Sequence, residues 1–85
     1  MKISVKYFAA LREAVGTAQE QLELPPQVTT VTGVRELLRA RGGAWAEALA
    51  PERAVRTAHQ HVMCSGETQV EDGAEVAFFP PVTGG

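Results

Sequence analysis

Apolar and polar positions alternate from the first residues of the chain. Across residues 2–8, Ile3, Val5 and Tyr7 fall on one side and Lys2, Ser4, Lys6 and Phe8 on the other, a period of two that predicts a strand with one buried face. Residues 9–15 are good helix formers stopped by Gly16, which predicts one or two helical turns. Alternation resumes over residues 19–24 with Leu22 and Leu24 inward, and Pro25-Pro26 ends it because proline cannot donate to a ladder.

The spacing then changes to that of a helix. Thr30 is placed as an N-cap for a main helix over residues 31 to about 41, with Val31, Val34, Leu37 and Leu38 on one stripe and Arg35, Glu36 and Arg39 facing water. Gly33 within it costs roughly 1 kcal/mol relative to alanine, so this helix must depend on packing. Gly42-Gly43 closes it, and residues 44–49 suggest a short turn with Trp45 and Leu49 touching the core. Residues 54–58 and 61–63 are strand-like; Ser65-Gly66 and Glu71-Asp72-Gly73 are turn signals, the second leading into a last strand over residues 75–79. An α+β fold follows, with one main helix across one face of a small mixed sheet.

Composition narrows the class. Eighty-five residues form one domain, and 45% apolar with 21% charged residues is the balance of a globular chain able to build a core. A formal charge of −2 argues against a nucleic-acid surface. No apolar run approaches the roughly 20 residues that cross a membrane, and the alternating N-terminus is unlike a signal peptide. Cys64 is the single cysteine and forms no internal disulfide, so a reducing, cytoplasmic location is the expectation.

The end of the chain carries the candidate chemistry. No side chain in residues 76–85 is charged, and Phe78 and Phe79 open that stretch. With Phe78 turned into the core, the period of two sends Phe79 outward. Pro80-Pro81 forbids further pairing and stiffens the chain, and the six residues 80–85 reach at most about 20 Å at roughly 3.3 Å each. Gly84 and Gly85 give the thinnest possible backbone, which suits entry into a narrow channel. The division expected is a folded domain over residues 1–79 and an extended tail over residues 80–85. A carboxylate at such a tip is a poor electrophile until another enzyme activates it with ATP as an acyl-adenylate. Attack by a sulfur nucleophile then gives a thiocarboxylate, and attack by a thiol or amine gives a conjugate. The chain is then a group carrier, with catalytic residues supplied by others. A terminal Gly-Gly alone is often incidental; the uncharged approach, the exposed apolar strand end and the Pro-Pro spacer together favour function.

The segment Asp72-Gly73-Ala74-Glu75-Val76-Ala77-Phe78-Phe79-Pro80-Pro81-Val82-Thr83-Gly84-Gly85 closely resembles the C-terminus of molybdopterin synthase small subunits, a ubiquitin-like sulfur-carrier family. The likeness extends through Phe8-Ala9, Leu11-Arg12-Glu13, Val15-Gly16, the helix with Val31, Val34 and Leu37-Leu38, and the turn at Trp45. Ala58-His59-Gln60 departs from the Val-Asn that members often show, a difference confined to a loop. The resemblance implies a β-grasp fold with the first and last strands side by side. It also implies a cycle in which an activating enzyme adenylates Gly85, sulfur transfer leaves a Gly85 thiocarboxylate, and the tail enters the large catalytic subunit. There the sulfur passes to a cyclic pyranopterin precursor, twice, to build the dithiolene of molybdopterin. Pro80, Pro81, Val82, Thr83 and Gly84 would be the inserted segment, and Phe78 and Phe79 the docking patch shared by both partners. A heterotetramer of two small and two large subunits is implied, with no permanently bound cofactor: ATP is used by the activating enzyme and sulfur rides covalently on Gly85.

Other constellations read as structural. His59 and His61 would share a face on a strand with Cys64 nearby, yet a zinc site needs three or four converging ligands and no further Cys or His exists. No metal is expected. Cys64 has no basic neighbour in sequence. Glu71, Asp72 and Glu75 form a small acidic cluster, and Arg35, Arg39 and Arg41 read as a solvent face. Two other classes stay open at this point: a ubiquitin-like carrier serving thiamine, transfer RNA or protein conjugation, and a plain interaction domain. Thiamine-type carriers are shorter and lack the Pro-Pro spacer.

Overall fold

The computed structural model describes residues 1–81. In chain order the elements are β1 (Lys2–Tyr7), α1 (Ala9–Val15), β2 (Gln19–Glu23), α2 (Val31–Arg39), α3 (Gly43–Ala48), β3 (Arg56–His59), β4 (Val62–Cys64) and β5 (Glu75–Phe79). The strands form one mixed sheet in the order β2-β1-β5-β3-β4. β1 and β5 run parallel at its centre, with Val5 beside Val76 and Tyr7 beside Phe78, while the remaining pairs are antiparallel. This is the β-grasp arrangement of ubiquitin-like proteins, as expected.

Alternation places the core. Ile3, Val5 and Tyr7 of β1 and Val76 and Phe78 of β5 are buried together with Val31, Val34 and Leu38 of α2. Leu37 is only half-buried at the margin of that stripe. Leu22, Leu24 and Leu49 close the core, and Trp45 packs against it half-buried.

Each helix end has a visible cause. Gly16 ends α1 in the left-handed region at φ 81°, its N–H donating to the Arg12 carbonyl at 2.9 Å. At α2 the Thr30 side chain accepts the Gly33 N–H at 3.1 Å. The N–H groups of Val31 and Thr32 donate to the carbonyls of Thr68 and Gly66, so the loop before β5 completes the cap. Gly33 is explained by close approach: a Cβ there would stand 3.1 Å from Val28 Cγ1. α2 stops at Arg39, two residues short of the expected end, because Arg41 and Gly42 donate to Leu38 and Arg39 in tighter turns.

Several expectations are corrected. Arg35 does not face water: its Nε donates to the Leu49 carbonyl at 2.8 Å, and its second terminal nitrogen to the Ala50 and Arg53 carbonyls at 2.6 and 3.2 Å. It holds the 49–53 loop against α2. β3 begins only at Arg56, so Ala54 and Val55 precede it rather than belonging to it. Arg41 is also engaged. It forms a two-pronged pair with Glu20 at 2.6 and 2.9 Å and lies over the Trp45 ring, 4.8 Å from its centroid. Glu20 in turn accepts from the Tyr7 hydroxyl at 2.8 Å, and Trp45 Nε1 donates to the same hydroxyl at 3.1 Å. This network ties β1, β2, the end of α2 and α3 together. Arg41 holds the Glu20 carboxyl below the usual carboxylate range, and burial pushes the Tyr7 phenol up.

His59 and His61 do not share a face. His59 ends β3, whereas His61 and Gln60 form the two-residue turn into β4, at φ 67° and 52°.

Candidate functional site

The root of the tail is set by the parallel pairing of β1 and β5, which brings both strands to the same rim. There the Phe8 N–H donates to the Phe78 carbonyl at 3.1 Å, and β5 stops one residue later at Phe79. Proline follows at 80 and 81, outside the sheet. Val82, Thr83, Gly84 and Gly85, the tail positions named from the sequence, lie outside the described residues.

Phe78 and Phe79 have different surroundings. Phe78 is fully buried and stacks on Tyr7 with ring centroids 6.4 Å apart. Expected alongside Phe79 as a docking residue, it presents no surface and acts as a core anchor for the strand that carries the tail. Phe79 is half-buried on the opposite face of the sheet, edge-on to Phe8 at 6.5 Å. Phe8 is 46% exposed. Sequence reasoning placed Phe8 on the outward side of β1 without giving it a role; an aromatic ring closing the polar row Lys2, Ser4, Lys6 was the available signal.

The aromatic pair continues into small side chains. Ala77 lies beside Lys6 and opposite Ala58, and Ala58 opposite Met63, so an uncharged row of Ala77, Ala58 and Met63 runs from Lys6 across the outward face to β4. At its far end Glu75 pairs with Lys6 Nζ at 3.0 Å and lies 3.5 Å from His61 Nδ1. Arg56, opposite Phe79, is exposed at the rim. Ala9, next to Phe8, has φ 51°, an unusual region for a side chain with a Cβ, and turns β1 sharply into α1 beside the tail root.

The remaining groups do not converge. Among the described residues, no cluster of three His, Cys, Asp or Glu side chains could hold a metal ion. Cys64 is half-buried on the inward face of β4, its Sγ 3.6 Å from Thr57 Oγ1. The acidic residues divide: Asp72 accepts the Lys2 N–H at 2.8 Å, tying the last turn to β1, while Glu75 joins the outward face. Among the described residues no helix is long and apolar enough to cross a membrane. What the described residues offer is the root of an uncharged C-terminal segment beside the exposed Phe8 and the half-buried Phe79. A sheet of this topology with the chain end leaving its central strand is the architecture of ubiquitin-like proteins.

Comparison with known proteins agrees with that class. Residues 5–85 match the model of the ThiS family, and the chain belongs to this family. The chain is 40% identical over 83 residues to the molybdopterin synthase sulfur carrier subunit of Escherichia coli strain K12, covering 98% of this chain and 99% of that protein. A solved Pyrococcus furiosus structure, described as molybdopterin converting factor subunit 1, superposes with a TM-score of 0.79 at 30% identity, covering 96% of this chain and 99% of that one. The fold is also that of a chain in the complex of subunits 1 and 2 of the molybdopterin-converting factor from Helicobacter pylori 26695. That match has a TM-score of 0.67 at 18% identity and covers both chains fully.

Proposed function

We propose that this chain is a sulfur carrier subunit of molybdopterin synthase. The observation that carries the reading is its 40% identity, over nearly its whole length, to a relative that bears this name. In the cycle, an activating enzyme transfers AMP from ATP to the Gly85 carboxylate and releases pyrophosphate. A sulfur nucleophile displaces AMP and leaves a thiocarboxylate on Gly85. The tail, from Pro80 through Gly84, then enters the large catalytic subunit, which receives the sulfur for a cyclic pyranopterin precursor. Two transfers complete the dithiolene.

The chain's own contribution is binding and delivery. Phe8 and Phe79 supply an aromatic anchor at the tail root for both partners, supported by their edge-on contact and by the exposure of Phe8. Glycine at positions 84 and 85 keeps the tip free of side chains that would block a channel. No cofactor is held permanently; ATP belongs to the activating enzyme. The working assembly is a heterotetramer of two small and two large subunits, located in the cytoplasm. The complex solved for the Helicobacter pylori subunits supports pairing with a large subunit.

Reconstitution tests the reading. Chain thiocarboxylated at Gly85, mixed with large subunit and cyclic pyranopterin precursor, is expected to yield molybdopterin, and chain lacking Gly85 none. Sulfur transfer to a thiamine precursor or to transfer RNA instead would assign the carrier to another pathway.

A further inference from the structure

The sheet has two edges, and they are finished differently. β2 carries Glu20 and Glu23 among glutamines, and these carboxylates pair with Arg41 and with the N-terminal ammonium. Charges on an edge strand guard it against a further strand. The other edge, β4, reads Val62-Met63-Cys64 and has no charge. Val62 and Met63 are 66% and 57% exposed. They lie on opposite faces of the strand, so a partner on one face of the sheet covers only one of them. A chain lying alongside the edge covers both.

The ladder fixes which backbone groups are free. The two-residue turn at Gln60-His61 closes on the His59–Val62 pair, which in such a hairpin exchanges both backbone hydrogen bonds. Alternation makes Thr57–Cys64 the next bonded pair and Ala58–Met63 the non-bonded pair between them. Met63 therefore directs its N–H and C=O toward the open edge.

The geometry points to β4 as a homodimer edge: β4 of a second copy pairs with it antiparallel about a two-fold axis through Met63. Each Met63 exchanges two hydrogen bonds with its equivalent, Val62 stands across from Cys64 of the second copy, and two five-stranded sheets become one. A second copy is the occupant because an uncharged strand meeting itself across a two-fold brings no like charges together. An isologous contact is also closed, so assembly stops at two. Only three residues pair, so the contact falls well below the roughly 1,200 Å² of a stable complex, and the dimer is weak and reversible. Phe79 lies two strands inward, about 12 Å from the axis at ~4.8 Å per strand, so both tail roots stay clear and the inference is independent of the tail chemistry.

Sedimentation of the full chain tests it. Between about 10 μM and about 1 mM the mass-average is expected to rise from monomer toward dimer. M63K places a charge at the axis and M63P removes the outward N–H; both are expected to stay monomeric, with circular dichroism confirming the fold. V62C gives a second readout. Oxidised glutathione should accept two electrons and two protons from the introduced thiol and Cys64 of the second copy, joining them in a disulfide located by peptide mapping. A monomer throughout, a dimer indifferent to both Met63 variants, or a disulfide only between two Cys64 residues would overturn the inference.

Discussion

Replacing each of the two adjacent phenylalanines separates folding from docking. Phe78 is completely buried against Tyr7, so Phe78→Ala removes a core ring and leaves a cavity, at a cost of about 3–5 kcal/mol. A domain of 85 residues is stable by only about 4–13 kcal/mol at roughly 0.05–0.15 kcal/mol per residue, so this change takes at least about a fifth of the total. Phe79 is half-buried and its aromatic partner is the exposed Phe8, so Phe79→Ala should cost about 1 kcal/mol. The reporter is Trp45, the single tryptophan, half-buried and bonded to the Tyr7 hydroxyl. With a urea slope near 1 kcal/mol/M, the midpoint should fall by about 1 M for Phe79→Ala and by about 3 M or more for Phe78→Ala. Phe78→Leu, a milder truncation, keeps the fold for binding measurements. In titrations with the large subunit and the activating enzyme, Phe79→Ala should weaken affinity about tenfold or more, while Phe78→Leu binds like the native chain. Equal midpoint shifts for the two alanine variants would refute the inside–outside assignment, and unchanged affinity of Phe79→Ala for both partners would remove Phe79 from the interface.

Other substitutions follow from single contacts. Because Arg41 depresses the Glu20 pKa, its contribution is full above the unfolded carboxylate value of about 4.3 and is lost as pH falls through the lower folded value. Glu20→Gln should therefore cost about 1–2 kcal/mol near neutral pH and flatten the loss of stability below about pH 4, measured by thermal melts across pH; an unchanged pH profile would contradict this. Arg35→Ala should cost about 2–3 kcal/mol, with Arg35→Lys recovering little because an ammonium cannot span the Leu49 and Ala50 carbonyls as a guanidinium does; full rescue by lysine in urea titrations would be the contrary result. A Cβ at Gly66 would collide with Thr32 Oγ1, so Gly66→Ala should cost about 1–3 kcal/mol and be partly rescued by Thr32→Ala; strict additivity of the two would contradict the clash. His61→Gly relieves a positive φ in the hairpin turn and should raise stability by about 0.5–1 kcal/mol in the same titration, and a loss of that size would mean the Glu75 contact outweighs the strain.

Periodicity made the sheet legible because burial on one face leaves a record at every second residue. Ile3, Val5 and Tyr7, and Phe78 against Phe79, sort correctly on that basis alone. Thr30 was legible as a cap because its hydroxyl acts within three residues. Contacts between distant residues were not. Arg35 and Arg41 lie where helix spacing predicts solvent, yet their partners are carbonyls 14–18 residues away and a carboxylate 21 residues away. Long side chains can bend back from an exposed position, and spacing does not record the direction. The histidine pair failed for another reason: Gln60 and His61 lack the Asn-Gly signature that usually marks a two-residue turn. At the site, the tail chemistry was read from composition and resemblance, whereas Phe8 as the partner of Phe79 emerged only from the parallel pairing of β1 with β5.

The most direct test of the sulfur-carrier reading is the intact mass of the purified chain after incubation with activating enzyme, ATP and a sulfur source. The account predicts a gain equal to sulfur replacing one oxygen, confined to the C-terminal peptide and absent when Gly85 is deleted. No mass change with several competent activating enzymes, or an equal gain on chain lacking Gly85, would contradict it.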